Sequence, residues 1–190
     1  DIRYGGQSKS LASLPGMRER CVILYTFSKK FAMTGWRLGA AIGPKKIIDV
    51  IIKLNVNEES CSNHFVQYAA IEGLAGDQAE ARQILTTLKE RRDMTVDLLN
   101  TIEGLHCLRP NATFYLWPNV TGAMQKTGLS NYDDFRKTVL QKTGVSFCTR
   151  LHFGRPLDGE DNFYIRLAYS GIETAEIKEG LGKFKEFIEG

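Results

Sequence analysis

Residues 25–39 of the 190-residue chain read YTFSKKFAMTGWRLG, and the fold turns on how this stretch is understood. Apolar, strand-forming residues fill 21–27, a composition suited to a short strand buried on both faces. Two lysines then follow at once. A lysine at a strand end is ordinarily a solvated charge, so Lys29 taken alone says little. Its neighbours say more. Thr26 and Ser28 place a hydroxyl on either side of Phe27, and Arg37 adds a planar guanidinium suited to two-pronged phosphate contact. Gly35 and Gly39 flank that arginine and let backbone pass close to a ligand.

An amine able to form an imine, hydroxyls and a guanidinium are the groups that a phosphate-bearing aldehyde requires. Pyridoxal 5'-phosphate is such a molecule. The stretch TFSKKFAMTGWRLG resembles the lysine signature of class I/II aminotransferases, pyridoxal-phosphate enzymes of fold type I. That signature runs hydroxyl residue, any residue, Ser, Lys, then Gly-x-Arg-x-Gly. By the resemblance Lys29, which directly follows Ser28, is the Schiff-base lysine and Lys30 is not. Thr26, Ser28, Lys29 and Arg37 become the cofactor-binding set, with Thr26 and Arg37 on the phosphate. SLASLPGMRER at 10–20 is similar to the family's approach to this strand.

The resemblance extends along the chain. RLAYSGIETAEIKEGL at 166–181 is similar to the family's C-terminal segment, where an arginine on a strand holds the substrate α-carboxylate. That implies the clamp for Arg166; without the family, an arginine paired with surface acids would serve as well. NATFYLWPNV at 111–120 resembles the strand that carries a Phe-Tyr pair, and Phe114 and Tyr115 either face the site or belong to the core. The family also uses an Asp-x-x-Tyr pair on the cofactor ring. Asp1 and Tyr4 have that interval, yet they stand closer to Lys29 than the family's pair does, so the pair is expected upstream of residue 1. The loop 55–63 lies where family members reach toward a neighbouring subunit's site, which makes Ser60, Ser62 and Asn63 candidate contacts.

Around these motifs the chain alternates strands and helices. A second apolar run covers 36–42, and Pro44 opens a helix to about Leu54. A polar loop at 55–62 and a helix from Asn63, ended by Gly76, come next. One long helix is expected over 77–102, then strands near Cys107 and at 113–117, a helix over 132–142 and short strands at 145–148 and 164–169. The last helix follows Ser170-Gly-Ile-Glu173, read as a capping box, and repeats Ile177, Leu181, Phe184 and Ile188 on one face. The expected fold class is α/β: the C-terminal part of the large fold type I cofactor domain (1–76), then the linking helix and small α/β C-terminal domain (77–190).

Composition narrows the function. A net charge of +3 is too small to argue for nucleic acid or a membrane surface as partner, and no apolar run is long enough to span a bilayer. Cys21, Cys61, Cys107 and Cys148 are scattered without metal-ligand spacing, as idle thiols of a reducing, cytoplasmic compartment are. Asn111-Ala-Thr and Asn119-Val-Thr match the glycosylation pattern and carry no meaning there. The resemblance implies an amino-acid aminotransferase, a homodimer that passes an amino group from an amino acid to a 2-oxo acid. A C–S lyase of the same fold, or a non-enzymatic regulator on the same scaffold, shares the signature. The start in mid-phrase suggests a fragment, expected to be weak or inactive alone.

Overall fold

The structure is a computed structural model and describes residues 2–190. The chain packs as two units that divide between Leu85 and Thr86, inside a helix.

In the first unit, strand β1 (Ile23–Thr26) pairs antiparallel with β2 (Gly39–Ile42), Ile23 opposite Ile42 and Thr26 opposite Gly39. Both strands are shorter than the apolar runs that announce them. The second run begins on the last residue of a 3-10 turn, Thr34–Trp36, and Arg37 after it adopts a left-handed conformation (φ 53°, ψ 48°) that ends any extended path. Nor is β1 buried on both faces: Leu24 is 80% exposed, because these two strands pair only with each other among the described residues. Gly39 is dictated by the pairing itself. A Cβ at this position would sit 2.8 Å from the Tyr25 carbonyl oxygen, well inside contact distance.

Helix α1 (Lys45–Glu58) follows Pro44, and helix α2 (His64–Ala75) is capped by Gly76. The polar residues 55–58 belong to α1 rather than to a loop. No residue of α1 is buried, so its last turn has no apolar face to lose, and Asn57 Nδ2 donates to the Lys53 carbonyl within it. The small core of this unit joins the loop after β1 to α2. Phe27, Met33, Val66 and Ala70 are buried there, with Tyr25, Phe31 and Leu38 packed around them. The aromatic and aliphatic residues of the opening stretch therefore anchor it on α2, while its polar residues stay outside.

Helix α3 (Ala79–Leu99) is shorter than expected and crosses into the second unit. There β3 (Tyr115–Leu116), β4 (Cys148–Thr149) and β5 (Ile165–Ala168) form an antiparallel sheet with β5 central. The register sets Tyr115 opposite Ala168 and Cys148 opposite Arg166. Near Cys107 the expected strand reduces to a single bridge between His106 and Asn119. Helix α4 (Thr121–Thr127) has no counterpart in the sequence reading; α5 (Tyr132–Thr143) and α6 (Thr174–Glu189) do. Phe135, Val139 and Ile165 fill the core with Ile177, Leu181, Phe184 and Ile188 of α6. The capping box lies later than expected. Glu173 is the N-cap and Glu176 its partner, because Ser170 is still in the turn that leaves β5.

Candidate functional site

Three of the residues singled out in the first unit, Thr26, Ser28 and Lys29, lie at the end of β1. Thr26 Oγ1 donates to Ser28 Oγ at 2.9 Å and accepts the Ser28 N–H at 3.2 Å, so both hydroxyls face one place just past the strand. Strand alternation explains this: Phe27 turns into the core, and its two neighbours turn away from it. Lys29 follows in the turn and is exposed. Lys30 is half-buried, with its ammonium 4.9 Å from the centre of the Phe31 ring. Of the two lysines, Lys29 is the one presented to solvent.

Arg37 donates from Nη1 to the Thr34 carbonyl at 2.8 Å and takes part in no ion pair among the described residues. It borders a cleft of about 840 Å³ together with Gly35, Gly39, Ser62 and Asn63. The cleft thus brings Arg37 together with part of the polar loop, while Thr26, Ser28 and Lys29 lie outside its lining. Two hydroxyls bonded to each other, an exposed amine and a guanidinium without a carboxylate among the described residues make a donor set that fits a phosphate-bearing aldehyde.

In the second unit the decisive residue is Arg166. Period-two alternation in β5 buries Ile165 and Leu167 and turns Arg166 to the opposite face. There its guanidinium carbon lies 4.3 Å from the centre of the Tyr115 ring and 4.6 Å from that of Phe153. Nη2 donates to Cys148 Sγ at 3.6 Å. Among the described residues it has no carboxylate partner, whereas Arg91, Arg92, Arg109 and Arg150 all have one. A half-buried guanidinium against two rings, with only a weak sulfur contact on its fork, is suited to an incoming carboxylate.

Tyr115 therefore stands against Arg166 and is only half-buried, and the buried residue of its strand is Leu116. Phe153 and Cys148 are the residues that sequence reasoning misses. Cys107 is an inert thiol: burial pushes it up to about 11, against a smaller downward pull from a backbone hydrogen bond at Trp117. All four cysteines are free. No cluster of metal-binding side chains and no helix long and apolar enough to cross a membrane occurs among the described residues. Asp1 of the Asp1–Tyr4 alternative lies outside them.

The family model for class I and II aminotransferases matches residues 4–184. This chain belongs to that family. The aspartate aminotransferase of Geobacillus stearothermophilus is 34% identical over 180 residues, covering 92% of this chain and 44% of that protein. The asparagine–oxo-acid transaminase of Streptococcus mutans is 32% identical over 171 residues, with 90% and 42% covered. In three dimensions the aspartate aminotransferase of Rhizobium meliloti superposes with a TM-score of 0.87 at 29% identity, covering 99% of this chain and 47% of that one. An aromatic aminotransferase of Pyrococcus horikoshii gives 0.87 at 28% identity, with 99% and 48% covered. The chain spans about half the length of the relatives it matches. Its fold is the α/β fold of the fold type I aminotransferases, and the class I and II aminotransferases are a pyridoxal-phosphate-dependent family.

Proposed function

We propose that the protein built on this chain is an amino-acid aminotransferase that holds pyridoxal phosphate on Lys29. The carrying observation is that Arg37, on its cleft, and Arg166, against two aromatic rings, are guanidinium groups without a carboxylate among the described residues. In this reading residues 1–76 close the large cofactor domain, and 77–190 are the linking helix and small domain. Ser60, Ser62 and Asn63 are candidate contacts to a second subunit of a cytoplasmic homodimer.

When bound, pyridoxal phosphate supplies an aldehyde and an electron-withdrawing ring that stabilises negative charge at the substrate α-carbon. The chain's own residues do the rest. Thr26 and Ser28 donate to the phosphate, and Arg37 neutralises it. Arg166 takes the α-carboxylate through two parallel charge-assisted hydrogen bonds, which orients the α-carbon. Lys29 would hold the aldehyde, and its Nζ as a free amine would serve as general base for the proton at that carbon. Relatives named for aspartate and asparagine support an amino acid and a 2-oxo acid as substrates.

Borohydride reduction of the full-length protein loaded with pyridoxal phosphate, followed by peptide mapping, tests the attachment. The expected tag lies on Lys29; a tag on Lys30 or elsewhere removes the assignment.

A further inference from the structure

The loop between β4 and β5 is irregular and mostly exposed, yet a single side chain braces it. Arg150 begins a 3-10 turn, Arg150–Phe153, just after β4. Its Nε lies 2.8 Å from Glu160 Oε1, and the two side chains are only 16% and 19% exposed. Nη1 donates to the Gly154 carbonyl at 3.1 Å and Nη2 to the Arg155 carbonyl at 3.0 Å. Glu160 Oε2 accepts the Leu157 N–H at 3.0 Å, and at the start of the turn the Thr149 N–H donates to His152 Nδ1 at 3.1 Å. One guanidinium thus ties together residues 150, 154, 155 and 160.

Ordering loop backbone costs conformational entropy, and the apolar burial here is small. What the brace fixes is Phe153. That ring is 48% exposed, so burial gives it little reason to stay. It packs edge-on against Trp117 at 5.4 Å and covers the Arg166 guanidinium at 4.6 Å, opposite Tyr115. Rings within 4.3 and 4.6 Å of the guanidinium carbon restrict how far it can tilt. We propose that Arg150 and Glu160 are positioning residues: by holding the turn that carries Phe153, they keep Arg166 flat and set the affinity for the substrate carboxylate. This rests on the reading of Arg166 as the carboxylate-binding group.

The test uses the 190-residue chain, ¹⁵N-labelled, titrated with pyruvate as the carboxylate probe. The Arg166 Nε–Hε resonance, shifted by the two rings, reports the arginine independently of binding. Phe153→Leu leaves the Arg150 brace intact and removes the ring, whereas Glu160→Gln leaves the ring and loosens the brace. Each is expected to weaken pyruvate binding by about two- to fivefold and to move the resonance toward that of a free arginine. The double variant should be no weaker than either single one, because both act along one path. Arg150→Lys keeps the charge but not the three-way donation, and should match Glu160→Gln. Unchanged resonance and binding in Glu160→Gln, or effects that add in the double variant, overturn the proposal. Native chain that binds no pyruvate, or binding that survives Arg166→Leu, overturns the carboxylate role instead, and the resonance still decides the positioning.

Discussion

Replacing Lys29 with alanine is expected to lower turnover of the full-length protein by about a hundredfold to ten-thousandfold, the range a positioned general acid–base contributes. Covalent attachment of the cofactor is lost at the same time. Lys30→Ala is the control. Its ammonium rests on the Phe31 ring, so removing it subtracts a cation–π contact of about 0.5–1 kcal/mol and leaves turnover within about threefold. The measurement is kcat with an amino acid and 2-oxoglutarate. The opposite ranking of the two variants would move the chemistry to Lys30 and break the inference from Ser28-Lys29.

Arg166→Lys should raise KM for the amino acid by about tenfold to a hundredfold, while absorbance of the bound cofactor survives. Lysine keeps the charge but offers a point donor in place of a planar fork, so one of two charge-assisted hydrogen bonds is lost. It also loses the flat surface that lies against Tyr115 and Phe153. An unchanged KM would remove Arg166 from substrate binding, whatever the state of Lys29.

Local signals carry much of this architecture. Ile177, Leu181, Phe184 and Ile188 repeat at helical spacing, and all four are buried along α6. Gly76 ends α2 as expected, though in extended backbone (φ −79°), and glycine is needed there because a Cβ would lie 2.6 Å from the Glu72 carbonyl oxygen. Signals fail where the deciding contact is distant or the element is short. Helix α4 has seven residues and little periodicity, and tertiary contact fixes its start. A Cβ on Gly122 would lie 2.7 Å from Gly104 Cα, so only two glycines allow this approach. The run 36–42 is apolar enough for a strand, but the left-handed Arg37 halves it. In the candidate site, Thr26, Ser28, Lys29 and Arg37 are legible because they lie within one short motif. The surroundings of Arg166 are not, since positions 115, 148 and 153 meet it only through strand pairing and a braced loop.

Helix α3 has a consequence for motion. Its buried positions, Leu88, Arg91, Arg92, Thr95, Val96 and Leu99, all lie in the part that belongs to the second unit. The turns before Leu88 carry none. Opening the early turns exposes little that is apolar, whereas opening the later ones requires Arg91 to release Ser170 and Glu173 and Leu99 to leave the core. Backbone amides should therefore exchange with deuterated solvent along a gradient, those of 91–99 slower than those of 80–86 by about a hundredfold or more. A uniform exchange rate along α3 would contradict this. One continuous helix would then relax on two timescales, its first turns fluctuating open while its last turns wait for the second unit to unfold.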